Sequence, residues 1–213
     1  MVFKSPWPSL EPYAPTSVPQ MMEATVRRLP DKAALMTADG HAYTYGEWWA
    51  AVNGMARALQ DEGIRKGDMV AIYAPNSCEY AVALHGALLA GATVTTLNPL
   101  YREREVEHQL HDAGAKVVFT LSQLVPIVNE AKPHLPKLEH VHELEGAWDM
   151  ARGAKGPPAA VPIDPLKDIA VLPYSSGTTG LPKGVMLSHQ NLTANIRQTM
   201  ALGMTTESAV VLD

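Results

Sequence analysis

The stretch Asp68–Leu97, DMVAIYAPNSCEYAVALHGALLAGATVTTL, sets two β-branched apolar runs on either side of a helical segment. Asp68–Tyr73 is apolar after its first residue and too short for a helix, so it reads as a strand buried on both faces. Asn76 and Glu79, three apart, predict a capping box. The segment they open steps through Tyr80, Leu84 and Leu88, which are expected to face inward before Gly91 closes it. Ala92–Leu97 is a second strand. Strand, helix and strand in one stretch make a βαβ unit, which implies parallel strands.

The pattern repeats on both sides. Downstream, Glu103–Ala113 is helical with Val106 and Leu110 on one face and Gly114 after it. Lys116–Thr120 is a strand, and Ser122 starts a weaker helix toward Ala131. Upstream, Thr44 and Glu47 form a T-x-x-E capping box, opening a helix whose face is Trp48, Val52, Met55 and Leu59, with Gly63 at its end. Val18–Leu29 reads as a first helix closed by Pro30. The expected class is α/β: three layers around a mostly parallel sheet, with at least three strands before Thr120. The Gly/Pro/Ala-rich segment 146–168 reads as a connector, dividing 1–145 from a second unit that starts at 169.

That second unit begins with Ile169–Pro173, IAVLP, a strand delivering the chain into Tyr174–Gly184, YSSGTTGLPKG. Gly177, Gly180 and Gly184 let backbone N–H groups converge, Ser175, Ser176, Thr178 and Thr179 add hydroxyls, and Lys183 adds a mobile positive charge. These are the parts of a polyphosphate cradle. The P-loop pattern G-x-x-x-x-G-K-[ST] fails, because Pro182 stands where the second glycine belongs and Gly184 follows Lys183. A G-x-S-x-G nucleophile elbow is absent too. A hydroxyl-rich linker is the plain alternative, but the flanking strands and Pro-Lys-Gly argue against it. Val185–Leu187 is strand-like, and Ser188 caps a helix carrying Leu192, Ile196 and Met200.

YSSGTTGLPKGVMLSHQN resembles the phosphate-binding signature of the acyl-adenylate-forming enzymes, nearest to their 4-coumarate–CoA ligase and fatty-acyl–CoA synthetase branch. The resemblance continues through YTYGEWW, the Gly63–Pro99 stretch and YREREVEHQLHDAGAKVVFT, so it covers nearly the whole chain. It implies a two-step reaction in which a fatty or aryl carboxylate attacks the α-phosphate of Mg-ATP, releasing pyrophosphate, and CoA then displaces AMP. It implies that Ser175, Ser176, Gly177, Thr178, Thr179, Gly180 and Lys183 hold the β- and γ-phosphates, with most of the magnesium site and the acyl, adenine and ribose contacts beyond Asp213. The expectation is therefore the N-terminal part of an adenylate-forming ligase, with no catalytic residue of its own and inactive by itself. A carrier-protein acceptor, or a shortened non-catalytic module that binds nucleotide or self-associates, remains the alternative.

Composition narrows the partners. Seventeen basic and twenty-two acidic side chains give 17 − 22 = −5, with no electrostatic case for nucleic acid. No apolar run approaches the roughly 20 residues of a spanning helix, and a lone cysteine, Cys78, favours a cytoplasmic setting. Cys78 sits at a helix start without a partner pattern and is expected to be structural. His108/His111 and His140/His142 have spacings that begin metal sites, but no further spaced ligand completes either, so hydrogen-bonded or solvated histidines are expected. His189 is expected to cap or pack. YREREVEHQLH reads as a solvated helix face, Trp48 as core, and Trp49 as an interface residue.

Overall fold

The computed structural model describes residues 13–175 and 182–203. Helix α1 (Val18–Arg28) leads to a small antiparallel pair, β1 (Ala33–Met36) and β2 (Ala42–Thr44), and then to α2 (Tyr45–Asp61). Next come β3 (Met69–Tyr73), α3 (Cys78–Leu89), β4 (Thr93–Leu97), α4 (Glu103–Ala113), β5 (Ala115–Thr120), α5 (Val125–Ala131), β6 (His140–Glu143) and α6 (Ala147–Gly153). Strands β7 (Ile169–Val171), β8 (Tyr174–Ser175), β9 (Lys183–Gly184) and β10 (Leu187–Ser188) precede α7 (His189–Ala201).

The main sheet has the order β10-β7-β4-β3-β5-β6, parallel throughout except for β10 at one edge. On β3, Val70 and Ile72 face one core while Ala71 and Tyr73 face the other, and all four are fully buried. Helices α2, α3 and α6 supply the first core, and α4 and α5 supply the second. This is the three-layer α/β arrangement that the apolar, two-sided strands require.

Helix α2 forms as its sequence dictates. The Thr44 hydroxyl accepts from the Glu47 N–H at 3.1 Å, and the Glu47 carboxylate accepts from the Thr44 N–H at 2.8 Å. Trp48, Val52, Met55 and Leu59 are buried along one stripe, each contributing roughly 1.5–3 kcal/mol relative to exposure.

Helix α3 differs from expectation in its cap and its face. Ser77, not Asn76, is the N-cap, its hydroxyl accepting from the Tyr80 N–H at 3.1 Å. Val82, Ala83, Gly86 and Ala87 are buried with Leu88, whereas Tyr80 and Leu84 are half-buried. Apolar nearly all round, α3 carries no stripe that picks a face, and packing picks it instead. A Cβ on Gly86 would stand 2.4 Å from Met55 Cγ, so the missing side chain is what lets α2 and α3 touch.

The segment expected as a connector contains a helix in its first half. Residues Ala147–Gly153 form α6, whose Ala147, Trp148 and Ala151 are buried against α2. Trp148 stacks on Tyr43 with centroids 4.2 Å apart. A Cβ on Gly54 would meet the Ala151 carbonyl oxygen at 2.2 Å, so the helix backbones meet at Gly54. The short helix has no side-chain N-cap bond, and tertiary packing forms it. Residues 154–168 then run without helix or strand, and β7 and β10 extend the same sheet as β3–β6.

Helix α7 has the predicted cap. Ser188 and Asn191 form a capping box with bonds of 3.2 and 2.9 Å. Of the apolar residues it carries, Leu192 is half-buried, while Ile196 and Met200 are exposed. Beside Leu192, which packs against the first core, its inward contacts include polar ones. His189 Nδ1 accepts from the Val18 N–H at 3.3 Å, and the Thr193 hydroxyl donates to the Thr16 carbonyl at 3.0 Å. Val185 and Met186, expected in a strand, lie exposed between β9 and β10.

Candidate functional site

Strand β7 lies parallel to β4, so its end lies at the carboxyl edge of the sheet. Open parallel sheets bind ligands at that edge. The chain leaves β7 through Leu172 and Pro173 and forms the β8–β9 hairpin, pairing Tyr174 with Gly184 and Ser175 with Lys183. Ser175 and Lys183 thus stand opposite each other where the loop begins and ends, both exposed. Ser176, Gly177, Thr178, Thr179 and Gly180, the other predicted phosphate ligands, lie outside the described residues. Residues 174–184 contain no carboxylate; their donors are hydroxyls, amides and one ammonium group. Such a set suits an anion.

The hairpin is held by α4 and β4. The Tyr174 hydroxyl donates to Asp112 Oδ2 at 2.5 Å. Burial first, then the Asp112 carboxylate beside it, push that phenol far above its ordinary pKa. The Thr95 hydroxyl donates to the Leu172 carbonyl at 2.8 Å and accepts from Gln109 Nε2 at 2.9 Å. His108 Nε2 lies 3.4 Å from the Pro182 carbonyl oxygen, at the loop's closing end. Leu172 Cδ1 would sit 3.1 Å from a Cβ on Gly184, with Tyr174 Cζ at 3.3 Å, which keeps that strand position small.

At Pro182, just before β9, is a cavity of about 250 Å³ lined by Tyr101, Arg104, Glu105, His108, Gln109 and Pro182. Five of these come from the segment expected as a plain solvated face. Gln109 is in fact only 2% exposed, and its amide also donates to the Thr96 carbonyl at 3.0 Å. The signal in the sequence was a glutamine next to Leu110 on the apolar side of the helix. Only the fold shows that this polar group serves the hairpin.

The remaining residues take supporting roles. Cys78 is buried, and that burial raises its thiol pKa against any help from the helix terminus. Trp48 is core, edge-on to His85 at 4.9 Å, and burial lowers the His85 pKa to about 4. His189 packs as expected, its pKa also lowered to about 4, chiefly by burial. His142 Nε2 is bonded to Glu62 Oε2 at 3.0 Å.

The sequence pattern of the AMP-binding enzyme family matches residues 22–212. The chain belongs to that family. It is 35% identical to 4-coumarate–CoA ligase-like 9 of Oryza sativa subsp. japonica, over 93% of this chain and 37% of that protein. It is 34% identical to a long-chain-fatty-acid–CoA ligase of Bacillus subtilis (strain 168), over 79% of this chain and 36% of that one. The structure of a long-chain-fatty-acid–CoA ligase from Archaeoglobus fulgidus superposes with a TM-score of 0.85 at 27% identity, covering 97% of this chain and 43% of that chain. The 213 residues thus span well under half the length of these relatives and correspond to their N-terminal part. Among the described residues, no helix is long and apolar enough to cross a membrane.

Proposed function

We propose that this AMP-binding family member supplies the polyphosphate clamp of an ATP-dependent acyl-CoA synthetase, and that the 213 residues do not complete the reaction by themselves. One observation carries the reading: the hairpin at the carboxyl edge of the sheet sets Ser175 opposite Lys183 across a loop of glycines and hydroxyls. In this reading Ser175, Ser176, Gly177, Thr178, Thr179, Gly180 and Lys183 hold the β- and γ-phosphates. Their contribution is to orient the nucleotide and to stabilise charge on the departing pyrophosphate. A fatty or aryl carboxylate attacks the α-phosphorus, the bond to the bridging oxygen breaks, and pyrophosphate leaves. The CoA thiol then attacks the acyl carbonyl and AMP departs. Magnesium would shield the phosphate charges; the hairpin, without a carboxylate, offers it no protein anion.

A second reading, a nucleotide-binding or interaction module without catalysis, has its own support. Val185, Met186, Ile196 and Met200 are exposed just after the hairpin, Met186 at 71%, and such side chains favour a covering surface, a second copy included. Two measurements separate the readings. Equilibrium binding of Mg-ATP to the chain should weaken about tenfold in Lys183→Ala; unchanged affinity would remove the clamp. Carboxylate-dependent ATP–pyrophosphate exchange should be absent from the 213 residues across fatty and aryl acids. Robust exchange would show that they suffice.

A further inference from the structure

A second constellation lies far along the chain from the hairpin, at the opposite edge of the sheet. Among the described residues β6 is the edge strand there, paired with β5 in a register that includes Val117↔His140 and Phe119↔His142. Residues two apart on a strand share a face, and the His140 and His142 rings are stacked with centroids 5.9 Å apart and planes within 10°. Phe119 lies 5.2 Å from the His142 ring and belongs to the core under α2 and α3, so both imidazoles stand on the α2 side. There α2 ends, and its C-cap residue Glu62 reaches the same place. One ligand atom from each of Glu62, His140 and His142 lies within 4.8 Å of the others.

We propose that Glu62, His140 and His142 bind one divalent transition-metal ion of the zinc class, tying edge strand β6 to the end of α2. Two imidazoles and a carboxylate are a donor set that zinc takes readily, with water in the fourth position. Tetrahedral ligands at zinc distances stand about 3.3 Å apart. The His142–Glu62 pair is already at 3.0 Å, so an ion would replace the proton between them while His140 closes in by a small side-chain rotation. All three side chains are half-buried, which leaves a path for the ion and partial shielding from water. The helix C-terminus adds its negative end to the site.

His134 and Glu107 provide a built-in control: Nδ1 and Oε2 are 3.1 Å apart, and no third ligand stands beside them among the described residues. The test uses the chelator-stripped 213-residue chain. Zinc is titrated by calorimetry, and cobalt is added in parallel to read its visible spectrum. The expected result is one ion per chain at micromolar or tighter affinity, a low-coordinate cobalt spectrum, and a urea midpoint raised by zinc. His142→Ala and the isosteric Glu62→Gln should each weaken binding about tenfold or more, while His134→Ala leaves it unchanged. Because Glu62→Gln keeps a hydrogen-bonding group of the same shape, it reports on the ligand without unfolding the edge. No saturable binding at micromolar zinc, or binding indifferent to Glu62→Gln and His142→Ala, overturns the proposal. None of these readouts depends on ATP or on the hairpin.

Discussion

At the centre of the sheet, Val70, Ala71, Ile72 and Tyr73 are fully covered by helices on both faces. At the β8–β9 hairpin, Ser175, Lys183 and Gly184 are exposed, and the described residues around it, Leu172, Tyr174 and Pro182, are met by polar contacts from α4 and β4. The first region is held by apolar area, which is non-directional and tolerant of the exact partner. The second is held by a few directional bonds, each of which matters to geometry more than to total stability. A mostly parallel sheet thus carries a hairpin whose described residues are held by residues remote in sequence, Thr95, His108 and Asp112.

That contrast can be tested from both sides. The largest effect of any single residue is expected from Gly54→Val, whose side chain would run into the Ala151 backbone. Separating α6 from α2 should cost about 3 kcal/mol, read by urea denaturation, with the fluorescence of Trp148 shifting to a more exposed value. A mutant near wild-type stability would mean that α6 packs loosely.

Acid should come next. His189 and His85 titrate near 4 in the folded chain, against 6.5 ordinarily. Folding therefore excludes a proton that the unfolded chain binds, so stability is complete above about pH 6.5 and falls as pH drops toward 4. Between pH 7 and 5 the loss should be about 2 kcal/mol for each histidine, seen as a falling urea midpoint. His189→Gln should remove its share of that slope, and an unchanged slope would place the proton elsewhere.

Thr44→Ala should cost about 1 kcal/mol through the lost cap of α2, again by urea midpoint. Smallest in stability but informative for the loop is Tyr174→Phe, which removes the bond to Asp112. It should change global stability by less than about 1 kcal/mol yet weaken Mg-ATP binding about threefold. Equal losses in both would erase the distinction between the two regions.

The parts readable in advance share one property: they repeat locally. The T-x-x-E box at Thr44, the Trp48–Leu59 stripe, the pair Val106 and Leu110, and the strand of Met69–Tyr73 declare themselves within a few residues. The parts that escaped depend on partners far away. Helix α6 needs Gly54, ninety-odd residues earlier, to let it dock. The face of α3 is set by Met55 against Gly86. The sequence shows that α7 carries Ile196 and Met200 but not which way they face; they are exposed, while polar contacts near His189 bind α7 to Thr16 and Val18. In the candidate site, the composition of YSSGTTGLPKG carries the expectation of an anion site, whereas the cavity formed with Tyr101, Arg104 and Gln109 was hidden in a charged helix face.

By itself, then, the sequence determined an α/β sheet with helices on both faces, and it raised the expectation of phosphate binding at a glycine- and hydroxyl-rich loop, since period, cap and composition act over short distances. The tertiary structure alone decided which side of α3 is buried, where α6 docks, what anchors the β8–β9 hairpin, and that Glu62 stands beside His140 and His142. Those are contacts between residues distant along the chain, and local periodicity carries no information about which distant surface will arrive.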